Sequence, residues 1–401
     1  MGAGELTATV VGGGIGGLAS AIALAQAGWR VTVLERAAAF GEVGAGLATT
    51  RNGMTALAAL GLGEAARAVA YRTGTAGMQD QRGRWIMHMP DTRSDPAAVT
   101  TIWGLQRQRL HGVLRRAAET ADGVTLATGT EVVSVRPGIP DGDPAAVTWR
   151  TGDGEQTAEA ELLVAADGVR STVREQLFPR ARAHYCGSTS WRAVIPDTGS
   201  DGRLVQAWGP GTEFGSLRVS DAEMYWYGYF RSAEGAVFAD EPAAARERFA
   251  GWAPWVRDLI AATPPDRLMR HDVYHLADGL PCYASGRVVF VGDAAHAMLP
   301  TAGQGAATAL EDGVCVGRMI AAPVRAGGDM AAALAAFDRA RRPRCRQIAR
   351  TAAMTARFGA DLDGGWRQPV RNTVFRLLPV TPLLKVGEPI VRWTAPPIPQ
   401  P

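Results

Sequence analysis

Lysine is almost absent from this chain: of 42 basic residues only Lys385 is not an arginine. Against 39 acidic residues the formal net charge is only +3, and no basic block stands out. A nucleic-acid partner would need such a block to meet its phosphates, so that class is not expected. The lysine scarcity, with heavy alanine use, reads as the bias of a GC-rich genome. Cysteine is scarce too. Cys186, Cys282, Cys315 and Cys345 include no close pair, so neither a disulfide framework nor zinc-ligand spacing is present, as in a reducing cytoplasm. No stretch of ~18 uninterrupted apolar residues is available to span a membrane, and the N-terminus carries no basic-then-apolar leader. A G-x-S-x-G elbow is also missing, which removes the usual serine-hydrolase arrangement. What remains is ordinary for a globular protein: 401 residues, 47% hydrophobic and 20% charged, long enough for two packed domains.

The most legible stretch is TATVVGGGIGGLASAIALAQAGWRVTVLER, residues 7 to 36. A β-rich run leads directly into Gly12-x-Gly14-x-x-Gly17, and a helix follows with apolar Leu18, Ile22 and Ala25 before Gly28 ends it. The near-continuous apolar run from Val31 to Leu34 fits a parallel strand buried on both faces, closed by Glu35. Gly12 permits the tight turn, Gly14 lets backbone approach a pyrophosphate, and Gly17 lets helix and strand pack closely. The helix N-terminus offers free N–H groups to phosphates, and Glu35 can accept from ribose hydroxyls. Dinucleotide binding is expected, with NAD and FAD both open at this point.

Two further segments repeat the logic. In LLVAADGVRSTVREQLF, residues 162 to 178, a buried strand ends at Asp167-Gly168 and Ser171 opens a short helix. In GRVVFVGDAAHAMLPTAGQG, residues 286 to 305, a buried strand precedes Asp293, and Gly303-Gln304-Gly305 opens the next helix. Asp293 stands three residues before His296, which invites a catalytic reading. No nucleophile accompanies them, so Asp293 is expected to bind polyol hydroxyls and His296 to be structural.

These three motifs, in this order, resemble those of the class A flavoprotein monooxygenases, the family of para-hydroxybenzoate hydroxylase. The resemblance covers roughly residues 7 to 345. It implies an α/β fold: a Rossmann-like FAD-binding domain with a doubly wound parallel sheet, interleaved with a β-sheet substrate domain and followed by a helical C-terminal tail. The implied boundaries are 1–180 and 285–345 for the FAD-binding domain, 181–284 for the substrate domain and 346–401 for the tail. The implied cofactor-binding set is Gly12, Gly14, Ile15, Gly17, Glu35, Arg36, Gly46, Arg107, Val132, Asp167, Asp293, Pro300, Gly303, Gln304 and Gly305. Within it, Arg107 of LQRQRLHGVL matches the family arginine before a Leu-His pair, Asp293 would hold the ribityl chain, and Pro300 with Gly303 to Gly305 would lie beneath the flavin ring.

Residues 185 to 284 change character, alternating short aromatic strands with turns. TSWRAVIP resembles the opening of the family's substrate domain, and a hairpin follows in which Arg218 replaces the proline of many relatives. In EMYWYGYF, residues 223 to 230, strand alternation puts Tyr225, Tyr227 and Tyr229 on one face, with Met224, Trp226 and Phe230 on the other. Tyr225 and Tyr227 are the candidate substrate wall on the catalytic side. In the urate hydroxylases a tyrosine matching Tyr225 faces the substrate; the competing reading has these phenols merely covering the sheet. His271 and His275 suggest a metal, but as strand residues they stand about 13 Å apart, so no metal is expected. RARRPRCRQIAR, residues 339 to 350, reads as a solvated helix face, and the tail as a cap over the substrate entrance.

One G-x-G-x-x-G unit and no redox cysteine pair argue against a disulfide-reductase architecture, and the halogenase tryptophan motif is missing. The resemblance therefore implies an NAD(P)H- and O2-dependent FAD monooxygenase. It would hydroxylate or epoxidise a small aromatic or polyketide-type substrate through a flavin hydroperoxide, as a cytoplasmic monomer or homodimer. The alternatives are a flavin-dependent dehydrogenase or reductase on the same fold, and a scaffold kept only for binding, which the intact Gly303-Gln304-Gly305 floor disfavours.

Overall fold

The computed structural model describes residues 5–41, 45–95 and 98–398. Its first layer is a six-stranded sheet in the order Ala284–Ser285, Val288–Phe290, Leu162–Ala165, Thr7–Val11, Arg30–Glu35 and Val124–Thr128. All neighbours run parallel except the first pair. Its central strands are apolar on both faces because both are covered. Helix Ile15–Gln26 packs against helix Gly305–Cys315 on one side, and a three-stranded sheet, Glu131–Arg136, Ala145–Thr151 and Gly154–Ala160, contributes Val132 and Val147 to the same core. The two helices approach so closely that a Cβ at Gly313 would lie 2.6 Å from the Ala19 Cβ.

The second layer is a nine-stranded sheet. Its main path runs Met269–His275, His184–Pro196, Glu223–Arg231, Thr212–Ser220, Leu204–Gly209, Ala70–Asp80, Thr101–Gln106 and Gly46–Thr49. The aromatic strand alternates as its sequence dictates. Met224, Trp226 and Phe230 pack with Trp191 and Phe214 beneath helices Glu241–Arg248 and Pro254–Ala261. Trp226 is completely buried, its ring 5.1 Å from that of Phe214, and its Nε1 donates to Thr263 Oγ1 at 2.9 Å. Tyr225, Tyr227 and Tyr229 face the other way, against Ala48, Ala302 and Leu299.

Two features depart from the boundaries drawn on the sequence. Strands Gly46–Thr49, Ala70–Asp80 and Thr101–Gln106 join the second sheet although they precede residue 181, because pairing partners are long-range and leave no mark in local composition. Helix Met330–Phe358 runs through position 345 without a break and carries Pro343 in its interior. The arginine-rich stretch on this helix is not a solvated face throughout: Arg341 is 1% exposed, and Arg344 is drawn in beside it. Beyond it, helices Arg367–Leu377 and Val380–Val391 brace both layers. Arg376 donates to the Trp85 carbonyl, and Arg344 reaches the carbonyls of Pro389 and Ile390. Among the described residues no helix is long and apolar enough to cross a membrane.

Candidate functional site

The C-terminal ends of parallel strands are where open α/β sheets take ligands, and the motif loops all emerge there. After Thr7–Val11, Gly12 adopts φ +102°, and a Cβ on it would strike the Ala166 carbonyl at 2.4 Å. A Cβ on Gly17 would sit 1.9 Å from the Gly12 oxygen, whereas one on Gly14 would meet nothing within 4 Å. The helix beginning at Ile15 has no side-chain cap, so its first N–H groups face that open space. Glu35 is held at the end of its strand, accepting from Gly13 N at 2.8 Å and Ala37 N at 2.9 Å, with exposed Arg36 beside it. Buried His111, not singled out in the sequence, braces the same loop by donating from Nε2 to the Gly13 carbonyl at 2.8 Å. Val132 follows Thr130, which donates to the Glu35 carbonyl.

Asp167 is committed to its own turn. One oxygen accepts from the Ser171 hydroxyl at 2.6 Å and the other from Val173 N at 3.1 Å, while burial pushes its carboxyl upward. Arg174 on the same short helix is fully buried and donates to the carbonyls of Asp293 and Ala294, at 3.3 and 3.1 Å. The second motif is thereby tied to the third. There Gly292 turns with φ +58°, and exposed Asp293 opens the short helix Asp293–His296 rather than closing the strand. Pro300 and Gly303 are exposed, and Cβ atoms at Gly303 or Gly305 would meet nothing within 4 Å. Helix Gly305–Cys315 starts without a side-chain cap. The open cradles at Gly14, Gly303 and Gly305, with two uncapped helix starts, fit a flat dinucleotide cofactor.

Beneath this floor lies a polar network that the sequence did not announce. Gln304 donates to Thr50 Oγ1 and accepts from Asn52 Nδ2, each at 3.0 Å. Asn52 also donates to Glu311 at 2.7 Å, and Glu311 pairs with Arg341 at 2.7 Å and Arg344 at 2.6 Å. Asp312 accepts from Arg341 at 2.7 Å, His296 at 2.6 Å and Gly292 N at 2.9 Å. His296 thus serves structure. Ligand atoms of His296, Asp312 and Cys345 lie within 4.8 Å of one another, but the Arg341 guanidinium contacts both Asp312 and Cys345 and already supplies the cation.

Gly46 opens the edge strand Gly46–Thr49 of the second sheet, and Arg107, at the start of the helix Arg107–Thr120, donates from its backbone N to the Ala45 carbonyl at 2.9 Å. A Cβ at Gly46 would lie 2.2 Å from Tyr225 Cγ, so the tyrosine ring covers that glycine. Burial pushes the Tyr225 phenol upward against the pull of Arg192 and Arg107. Tyr227 lies beside Tyr225, ring centroids 6.0 Å apart, and Tyr229 meets Cys186 at 3.5 Å. His271 and His275 share the strand Met269–His275. Arg218, in the proline position of the hairpin, pairs with Asp197 and covers the Tyr71 ring.

Residues 5 to 352 match the family described as FAD binding domain. The chain belongs to the FAD-dependent monooxygenases. It is 35% identical over 343 residues to the aurachin C monooxygenase/isomerase of Stigmatella aurantiaca, covering 84% of this chain and 85% of that protein. It is 32% identical over 383 residues to 2-heptyl-3-hydroxy-4(1H)-quinolone synthase of Pseudomonas aeruginosa, covering 93% and 94%. Klebsiella pneumoniae HpxO complexed with FAD and uric acid superposes with a TM-score of 0.83 at 25% identity, covering 97% of each chain. This monooxygenase is therefore an oxidoreductase that inserts one oxygen atom, on a scaffold that binds FAD.

Its buried histidine gives a pH signature. Burial opposes charge on the His296 imidazole, yet Cys345 and Asp312 outweigh it and hold its pKa well above the ordinary histidine value. A raised histidine pKa adds stability that is complete below about pH 6.5 and is lost as pH climbs through the folded value. Urea midpoints should therefore fall as pH rises above neutrality, and fall less in His296→Gln. Equal declines in both proteins would contradict the pairing.

Proposed function

We propose that this monooxygenase uses NAD(P)H and O2 to oxygenate a small aromatic or related ring held between the tyrosine row and the Pro300–Gly305 floor. The observations that carry the reading are the open positions at Gly14, Gly303 and Gly305, the exposed Asp293 carboxylate, and the packing of Tyr227 and Tyr229 against Leu299 and Ala302 beside that floor. Gly12, Gly14, Ile15 and Gly17 would take the pyrophosphate, Glu35 and Arg36 the adenosine ribose, with Val132 beside them. Asp293 would hold the ribityl chain, with Asp167 shaping the turn that supports it. Gly46 and Arg107 would border the flavin, with Pro300, Gly303, Gln304 and Gly305 as its bed. FAD, when bound, supplies the hydride acceptor and the oxygen activation. The protein's own part is to position the ring and keep water out.

The relatives support an aromatic substrate. Besides the aurachin C enzyme and the quinolone synthase they include a urate hydroxylase of Klebsiella pneumoniae and a 3-hydroxybenzoate 6-hydroxylase of Klebsiella oxytoca, at 29% and 31% identity. The four cysteines, all unbridged, support a cytoplasmic setting, and a monomer or homodimer is the assembly this reading takes.

Two measurements test it. Asp293→Ala should bind FAD about 10- to 100-fold more weakly, since a hydrogen bond to a charged acceptor contributes roughly 1.5–3 kcal/mol. A folded variant with full flavin occupancy would overturn the assignment. Without substrate, NAD(P)H oxidation should be slow and should release peroxide, because the single Rossmann unit leaves the nicotinamide no domain of its own. Fast substrate-free oxidation with no peroxide would mark a dehydrogenase instead.

A further inference from the structure

The inner face of the second sheet carries a polar row. Strand register sets Arg192 opposite Tyr227, Tyr227 opposite Gly215, and Gly215 opposite Gln206, with Glu213 two residues along the Gly215 strand. Three strand spacings make this row about 14 Å wide. Gly215 is what permits it: a Cβ there would lie 2.5 Å from Tyr227 Cε1, so only a bare backbone lets the phenol lie across the strand. The Tyr227 hydroxyl thereby reaches Glu213 Oε1 at 2.7 Å.

Glu213 is 1% exposed and accepts three hydrogen bonds, from Tyr227, from Gln206 Nε2 at 2.8 Å and from Trp208 Nε1 at 3.2 Å. Burial pushes the Glu213 carboxyl upward, and the three donors, Tyr227, Gln206 and Trp208, pull it back toward the charged form that they are arranged to meet. The only proton of Tyr227 is turned inward onto Glu213. Gln206 spends its amide hydrogens on Glu213 and on Tyr227 Oη, the latter at 3.0 Å. That leaves two acceptor positions unspent: a lone pair of Tyr227 Oη, and the Gln206 carbonyl, to which nothing donates among the described residues. At the opposite end of the row stands Arg192, a cation and donor. The wall is therefore polarised, with acceptors backed by a buried carboxylate at one end and a guanidinium at the other.

We propose that this row makes Glu213 the residue that sets substrate class. It favours a neutral ring with an N–H or O–H on one edge and a carbonyl on the opposite edge, as in a 4(1H)-quinolone, over ring carboxylates. The inference rests on the aromatic-oxygenation reading above and narrows it. The ring N–H donates to Tyr227 and Gln206, and the carbonyl accepts from Arg192. A carboxylated ring at the acceptor end would place its charge near Glu213 in a dry pocket, where repulsion is barely screened. Urate-type anions meet the same obstacle.

The test is ligand titration of the FAD-loaded protein, followed by the perturbation of the flavin absorbance. 4(1H)-Quinolone should bind at least tenfold more tightly than its N-methyl derivative and than 3-hydroxybenzoate. In Glu213→Gln the margin over 3-hydroxybenzoate should collapse, since the amide removes the charge and adds a donor. The wild-type comparison stands even if that variant fails to fold. Equal binding of the N-methyl compound, or tighter binding and oxygenation of 3-hydroxybenzoate, would overturn the proposal and leave the monooxygenase reading intact. If no ring of either class perturbs the flavin or accelerates NAD(P)H oxidation, the aromatic-oxygenation reading fails, and this proposal with it.

Discussion

Helix Gly305–Cys315 carries two consecutive carboxylates, Glu311 and Asp312, into the interior with no exposure at all. Neither can remain ionised there without partners, and the protein brings five of them from three other segments. Arg341 and Arg344 come from the long helix Met330–Phe358, His296 and Gly292 N from the third motif, and Asn52 from the helix Arg51–Ala59. Removing one member of such a network leaves a buried charge uncompensated and typically costs 3–5 kcal/mol. Its directionality matters more than its strength. A hydrophobic contact would tolerate sliding, whereas these bonds fix the turn at Gly292 and the side chain of Gln304 relative to one another.

That rigidity explains how the labour is divided. The first layer offers backbone: open glycines, uncapped helix starts and the exposed Asp293 carboxylate, all suited to a cofactor that brings its own chemistry. The second layer offers side chains, and its aromatic strand serves both faces at once. Trp226 and its neighbours anchor the sheet to two helices, while the phenols of alternate residues look toward the floor. Gly46 beneath Tyr225 and Gly215 beneath Tyr227 show that the ring positions are built into the backbone.

The fold and the cofactor motifs were legible because each is a local pattern with a local cause. Gly12, Gly14 and Gly17 announce a turn and two close approaches, and a strand of alternating aromatics announces its two faces. The network beneath the floor was not legible. Glu311 and Arg341 are thirty residues apart, and within RARRPRCRQIAR nothing distinguishes the two arginines drawn inward, Arg341 and Arg344, from the others. Glu213 was missed for a similar reason. In GTEFGSL it reads as an ordinary hairpin carboxylate, and only the pairing of strands puts it under Tyr227. The strands before residue 181 that complete the second sheet were hidden because sheet membership is a long-range property.

On the proposed reading, the buried network holds the Pro300–Gly305 floor in the shape that would take the flavin. The direct measurement is FAD titration of the apoprotein of Glu311→Gln, which keeps side-chain size but weakens the bonds to Arg341, Arg344 and Asn52. At least a tenfold loss of FAD affinity, about 1.4 kcal/mol, is expected, with the helical far-ultraviolet signal retained. Native FAD affinity in that variant would show that the floor keeps its shape without the network, and would contradict the account.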